Sequence, residues 1–204
     1  GGALDDPART ITGDAQMEWL KQQLSSSGCT WRLLGNSVMI TPVVFPPLPE
    51  LLGRRVSDVT GLFPEDGLPY NVDQWDGYQA DRDELLDHLR GSGVANAVFL
   101  TGDIHTSWAC DVPLDAGTYA GSPNVMSPSG GIEIVCPSVT SDNLDEIAGV
   151  PPRTASLTVE AAFRATNRHI KLVEMDSHGY TVVEVDRNRL HADWWYISDR
   201  TDPD

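Results

Sequence analysis

The sequence predicts an α/β fold, on three observations. Two segments carry apolar residues at helical spacing, an apolar strand runs directly into a glycine turn, and the chain closes in antiparallel strands. In Ala15 to Leu24, Met17, Leu20 and Leu24 recur at helical spacing, Asp14 is the candidate N-cap, and Gly28 ends the element. Thr30 to Leu34 and Val38 to Ile40 read as strands interrupted by Gly35-Asn36-Ser37. Thr41 to Tyr70 is rich in proline without sustained periodicity and reads as a long irregular connection. Ala80 to Arg90 is a helix with Leu85, Leu86 and Leu89 on its core side, Gly91 as its stop and His88 on its surface. Val98 to Leu100 is a buried strand. A Gly/Ser/Pro-rich loop at about Asp115 to Gly131 precedes the strand Ile132 to Cys136. Asp145 to Ile147 suggests a helical turn and Val159 to Ala165 a short helix. The end reads as a β-meander: Ile170 to Met175, Tyr180 to Asp186 and Leu190 to Ile197, with turns at Asp176–Gly179 and Arg187-Asn188.

With 204 residues the chain has the length of one domain, and 40% hydrophobic against 22% charged residues is the balance of a folded chain. The formal charge of −16, from 14 basic and 30 acidic side chains, excludes a nucleic-acid backbone as partner, because that contact needs a basic face. It also opposes an anionic substrate unless bound metal ions invert the local field. Most of the carboxylates read as solvated. No apolar run approaches a transmembrane length. Cys29, Cys110 and Cys136 have no zinc spacing, and Cys110 and Cys136, near strand ends, either pair in an oxidising compartment or remain buried thiols.

The most informative residues are Gly102-Asp103-Ile104-His105, directly after the apolar strand. On an extended segment, one intervening residue points the Asp103 carboxylate and the His105 imidazole the same way. That is half of a site for a divalent or trivalent cation; the alternative is a turn-capping Asp beside an exposed His. Trp75-Asp76-Gly77-Tyr78 is either a rim that positions substrate or a pair of aromatic anchors with Asp76 capping the following helix. Asn36 either donates its amide to phosphate or makes an Asx turn. Thr140, Ser141 and Asn143, past a strand end, offer hydroxyl and amide donors to the same cleft. His169 reads as a structural hydrogen-bond partner, and His178 and His191 as solvent-facing. No nucleophile elbow, P-loop or dinucleotide fingerprint occurs.

The run Leu100-Thr-Gly-Asp-Ile-His-Thr-Ser-Trp108 resembles PhoD-type alkaline phosphatases, a branch of the metallophosphoesterases. Three further stretches match that family in order: Gln16-Met-Glu-Trp19-Leu20 with Trp31-Arg-Leu-Leu-Gly-Asn36; Trp75-Asp-Gly-Tyr78; and Asn167-Arg-His-Ile170 with Gly179-Tyr180 and Ala192-Asp193-Trp194. The resemblance covers about residues 9 to 197 and implies a four-layer α-β-β-α sandwich. It also implies metal-dependent hydrolysis of a phosphoester small molecule, with iron and calcium, Asp103 and His105 as ligands, and a secreted, periplasmic or cell-envelope location. His105 would take the iron-like metal and Asp103 the harder cation. The family's amino-terminal half supplies further metal ligands that nothing here matches. From its Gly1-Gly2-Ala3 start, residues 1–204 are expected to be the carboxy-terminal part of the catalytic domain, partnered by the amino-terminal half of the same protein. The alternative is a non-catalytic remnant with the same fold. Ser141-Asp142-Asn143 departs from the family's Ser-Gly-Gly-like run, which puts backbone anion binding at that turn in doubt.

Overall fold

Five strands, β1 (Arg32–Asn36), β2 (Ala97–Thr101), β3 (Ser107–Pro113), β4 (Ser129–Val135) and β5 (Ile170–Glu174), form one mixed sheet in the order β1-β2-β4-β3-β5. This is a computed structural model, and it describes residues 6–44, 71–116, 119 and 128–201. β1, β2 and β4 are parallel neighbours, whereas β3 runs antiparallel to both β4 and β5. The parallel β1–β2 pair needs a long return, which includes helix α2 (Gln79–Gly91). The consequence for function is an alignment of ends. Asn36, Thr101 and Val135 sit side by side where the three parallel strands finish, and Ser107 pairs with Glu174 at the same edge. Loops leaving those ends therefore converge, as ligand-binding loops do in open α/β sheets.

Strand alternation puts Phe99, Thr101, Glu133, Val135, Trp108 and Cys110 on one face of the sheet. On the β1 side, helices α1 (Asp14–Ser26) and α2 bring Met17, Leu24, Leu85, Leu86 and Leu89 against Ala97 and Phe99. On the β5 side, α4 (Ala155–Thr166), which follows the short α3 (Leu144–Ala148), brings Val159 and Phe163 against Trp108, Cys110 and Val173. The Trp108 and Phe163 rings meet edge to face, their centroids 5.5 Å apart. A two-stranded antiparallel sheet, β6 (Gly179–Val185) and β7 (Leu190–Tyr196), is tied to the large sheet through two indoles. Trp194 donates to the Val135 carbonyl at 2.9 Å, and Trp31, just before β1, donates to the Asp186 carbonyl at 2.6 Å.

Between the two apolar clusters lies Glu133, fully buried. Its carboxylate accepts hydrogen bonds from the Ile40 and Thr41 backbone N–H groups at 3.0 and 2.8 Å and from the Thr101 hydroxyl at 2.7 Å. The Asn36 amide adds a longer contact at 3.4 Å. Burial pushes the carboxyl up from its ordinary range, and these donors pull it back.

Several expectations are corrected. Val38 to Ile40 is not a strand, because the Ile40 N–H is given to Glu133 instead of a neighbouring strand. The N-cap of α1 is Gly13, at φ 74°, and Asp14 is the first helical residue. Strand β4 begins at Ser129, inside the stretch expected to be loop. The closing three strands are not one meander. β5 pairs with β3 in the large sheet, and only β6 and β7 form a hairpin. Of the two readings left open for Cys110 and Cys136, that of free thiols holds. Cys110 stands opposite Glu133 and Val135 opposite Trp108, which separates the two cysteines by three residues along the strands, roughly 10 Å, beyond disulfide reach. The expected irregular connection falls largely at residues 45–70, outside the described residues.

Replacing Glu133 by Ala strands two buried N–H groups and a hydroxyl, so Glu133→Ala is expected to cost about 3 kcal/mol or more in urea unfolding at neutral pH. A loss below about 1 kcal/mol would mean that those donors find other partners.

Candidate active site at the strand ends

Thr101 ends β2 with its hydroxyl on Glu133, and the next residues make the abrupt turn that the sequence suggested. The turn is built differently from the expectation. Residues 102–106 are not extended: Asp103 has φ 74° and His105 φ 58°, both in the left-handed region. The Ile104 N–H donates to the Gly102 carbonyl at 3.0 Å, so Asp103 is the central residue of a γ-turn with positive φ, a rare and strained form. A Cβ at Gly102 would meet nothing, and the positive φ values fall on the two candidate ligands, Asp103 and His105.

Asp103 is exposed, and its carboxylate has no hydrogen-bond partner among the described residues. His105 is half-buried and differently held. Its Nδ1–H donates to the Asp142 carbonyl at 3.0 Å, in the loop that follows β4. In a neutral ring that bond selects the Nδ1–H tautomer, and Nε2 has no hydrogen-bond partner among the described residues. A bare carboxylate and an imidazole Nε2, two residues apart on a strained turn, suit a hard or borderline cation. Among the described residues no group of three or more His, Cys, Asp or Glu side chains is arranged to hold a metal ion.

The Asp142 loop is itself anchored. Arg200 donates to the Thr140 carbonyl at 2.6 Å and pairs with Asp142 at 2.8 Å and Glu146 at 3.2 Å. The Ser138 hydroxyl donates to the Ser141 carbonyl at 2.6 Å. Thr140 and Ser141 are exposed. Asn143 is buried and is the N-cap of α3, in a capping box with Glu146; its amide donates to the Asp176 carbonyl. His178 is also buried, not solvent-facing: β6 begins beside it, and its Nε2–H donates to Glu146 at 3.1 Å. His191 is exposed and His169 is a buried donor to the Pro42 carbonyl at 2.7 Å, both as expected. Burial holds His169 below the ordinary imidazole range.

Asn36 lies next to Thr101 in register and spends its amide inside the protein. It donates to the Thr101 hydroxyl at 3.2 Å and accepts from the Trp75 indole at 3.2 Å, which is no Asx turn. Trp75 and Asp76 are buried in a short 3-10 turn. Asp76 forms an ion pair with Arg82 of α2 and accepts from the Val43 N–H at 3.0 Å; it does not cap the helix. Burial pushes its carboxyl up against the pull of Arg82. A Cβ at Gly77 would lie 1.8 Å from the Val72 carbonyl oxygen, so the glycine is a packing requirement. The Tyr78 ring carries the Arg9 guanidinium 4.9 Å from its centre. Sequence reasoning missed Glu133, Asp142, Arg200 and the buried role of His178, all of which act through long-range contacts.

Parallel strand ends with an Asp and a His on the strained turn that follows β2 define an α/β domain with a candidate site built from loops. The chain belongs to the PhoD-like phosphatase family, whose model matches residues 1–194. It is 30% identical over 136 residues to alkaline phosphatase D of Bacillus subtilis (strain 168), an alignment spanning 67% of this chain and 19% of that protein. A solved structure described as that of PhoD superposes with a TM-score of 0.75 at 26% identity, over 98% of this chain and 32% of the other. The chain thus spans about a third of the solved relative's length.

Two expected outcomes test the local geometry. Because His105 has φ 58°, His105→Gly should be more stable than His105→Ala by about 1 kcal/mol in urea unfolding, the reverse of the usual order. Asp145, which starts the α3 region, is opposed by burial, but bonds from Ser156 and Thr154 win and hold its carboxyl below the ordinary range. A depressed carboxyl stabilises the fold above its unfolded pKa, and that contribution disappears as pH falls through the folded value. Asp145→Asn should therefore lose stability at neutral pH, with the gap to the parent closing below about pH 3.9.

Proposed function

We propose that this chain supplies part of the active site of a metal-dependent phosphoester hydrolase of the PhoD type, within a four-layer α-β-β-α sandwich. The observation that carries the reading is the His105 imidazole, aimed by the Asp142 carbonyl from the same strained turn that bears Asp103. His105 Nε2 would hold an iron-like ion and Asp103 a harder one such as calcium. Metal ions bound there would supply Lewis acidity and a water acidic enough to attack near neutral pH. They would also offset the repulsion between an anionic phosphoester and a chain of formal charge −16. The exposed Thr140 and Ser141 hydroxyls stand on the same loop as Asp142 and are the substrate contacts we assign first. Asn36, Trp75, Asp76, Tyr78 and Asn143 act behind them, holding the strand ends and loops in register.

The remaining ligands are assigned to the amino-terminal half of the same protein. A secreted or cell-envelope location fits the family; no helix among the described residues is long and apolar enough to cross a membrane.

In the complete protein, His105→Ala should lower kcat/KM for an aryl phosphate by at least about a hundredfold, and Asp103→Asn nearly as much. His191→Ala, an exposed control, should stay within about twofold. Metal content and circular dichroism must accompany the kinetics. A folded His105→Ala protein that keeps both its metal and its rate ends this reading. The 204-residue chain alone should turn over negligibly; robust turnover abolished by His105→Ala would place the whole site within it.

A further inference from the structure

His105 is aimed by a backbone carbonyl, and a carbonyl aims well only if its own loop is fixed. The loop after β4 is held at its two ends, by the Ser138–Ser141 bond and by the Asn143 cap, while its middle is open to solvent. It is exposed at Val139, Thr140, Ser141 and Asp142, and it spans the gap between β4 and α3. Arg200, past the end of β7 and remote in sequence from both, crosses that gap. One guanidinium group reaches the Thr140 carbonyl at 2.6 Å, the Asp142 carboxylate at 2.8 Å and the Glu146 carboxylate at 3.2 Å. These acceptors bracket Asp142, whose carbonyl takes the His105 Nδ1–H at 3.0 Å. Glu146 continues the chain of contacts to His178 with its other oxygen, at 3.1 Å.

We propose that Arg200 is a positioning residue for His105: by gripping the loop at Thr140 and Asp142 and tying it to Glu146 of α3, it holds the Asp142 carbonyl on Nδ1 and keeps Nε2 free. The claim about function rests on the reading of His105 as a ligand, but the claim about the imidazole does not. The clamp is suited to aiming, not to holding the fold. Asp142 is well exposed, and ion pairs of that kind contribute little to global stability. A planar fork that engages two acceptors of the loop and one of the helix that follows nevertheless removes freedom from that loop, which a lysine, as a single point charge, cannot match. Outer partners of a ligating histidine act in this way, by fixing ring orientation and tautomer.

The test uses nitrogen-15 NMR of the His105 ring at about pH 8.5, where an ordinary imidazole is neutral. The parent should show the Nδ1–H tautomer. Arg200→Ala and Arg200→Gln should shift the ring toward a mixture with Nε2–H, with the urea midpoint nearly unchanged, and Arg200→Lys should restore the parent signature only in part. In the complete protein, Arg200→Ala should lower kcat/KM for an aryl phosphate by about tenfold and do nothing further in a His105→Ala background. An unchanged tautomer in both the Ala and the Gln variants overturns the proposal. So does a tautomer change that appears only with a general loss of stability. A changed tautomer without change in rate keeps the clamp and overturns the reading of His105 as a ligand.

Discussion

One buried carboxylate organises the part of the fold on which the site depends. Glu133 has no cation beside it among the described residues; its charge is met by hydrogen-bond donors from three separate pieces of chain. Two are backbone N–H groups of residues 40 and 41, one is the last residue of β2, and one is the last residue of β1. A carboxylate in an apolar interior is costly unless its lone pairs are filled. Filling them obliges the 40–41 segment to cross the sheet at a fixed place and the ends of β1 and β2 to stay level. The strained turn at Asp103 starts two residues beyond Thr101. Its geometry therefore inherits the precision of that buried network, which is how a rigid scaffold sustains an unfavourable backbone.

The site has a second layer of control on the other side. His105 is not buried deeply enough to be oriented by packing, and its aim comes from hydrogen bonding to the next loop. The β2 end is fixed from within by Glu133, and the β4 end is fixed from outside by Arg200, Glu146 and His178. Two independent supports meet at one imidazole.

Much of this was legible in the sequence, and the limits have physical causes. The two amphipathic helices, β2, β5 and the hairpin strands carry strong local periodicity, and the structure places them within a few residues of expectation. The Gly102–His105 turn was readable because an apolar run stops there. Its backbone was not: one-residue spacing implies a shared direction only on an extended chain, and positive φ at two non-glycine residues leaves no mark in composition. Glu133 reads by alternation as the solvent side of its strand, with Ile132 and Ile134 inward. The structure buries Glu133 completely and leaves Ile132 36% exposed, while Ile134 is buried as its pattern suggests. The backbone N–H groups of residues 40 and 41, remote in sequence, and the Thr101 hydroxyl make that burial stable. The same holds for His178, whose burial depends on Glu146, and for β5, whose pairing with β3 instead of β6 is a topological choice that no local pattern encodes.

The glycine of Trp75-Asp-Gly-Tyr78 has a consequence for how such chains are recognised. That stretch is the most distinctive piece of the family resemblance, yet its indole, carboxylate and missing side chain are all engaged with the chain's own atoms. It behaves as a keystone of the architecture, its contacts directed inward. A descendant that had lost its chemistry could retain those four residues unaltered and still be assigned to the same lineage. Vigour must be judged elsewhere, at Asp103 and His105, where the backbone is bent out of its comfortable range.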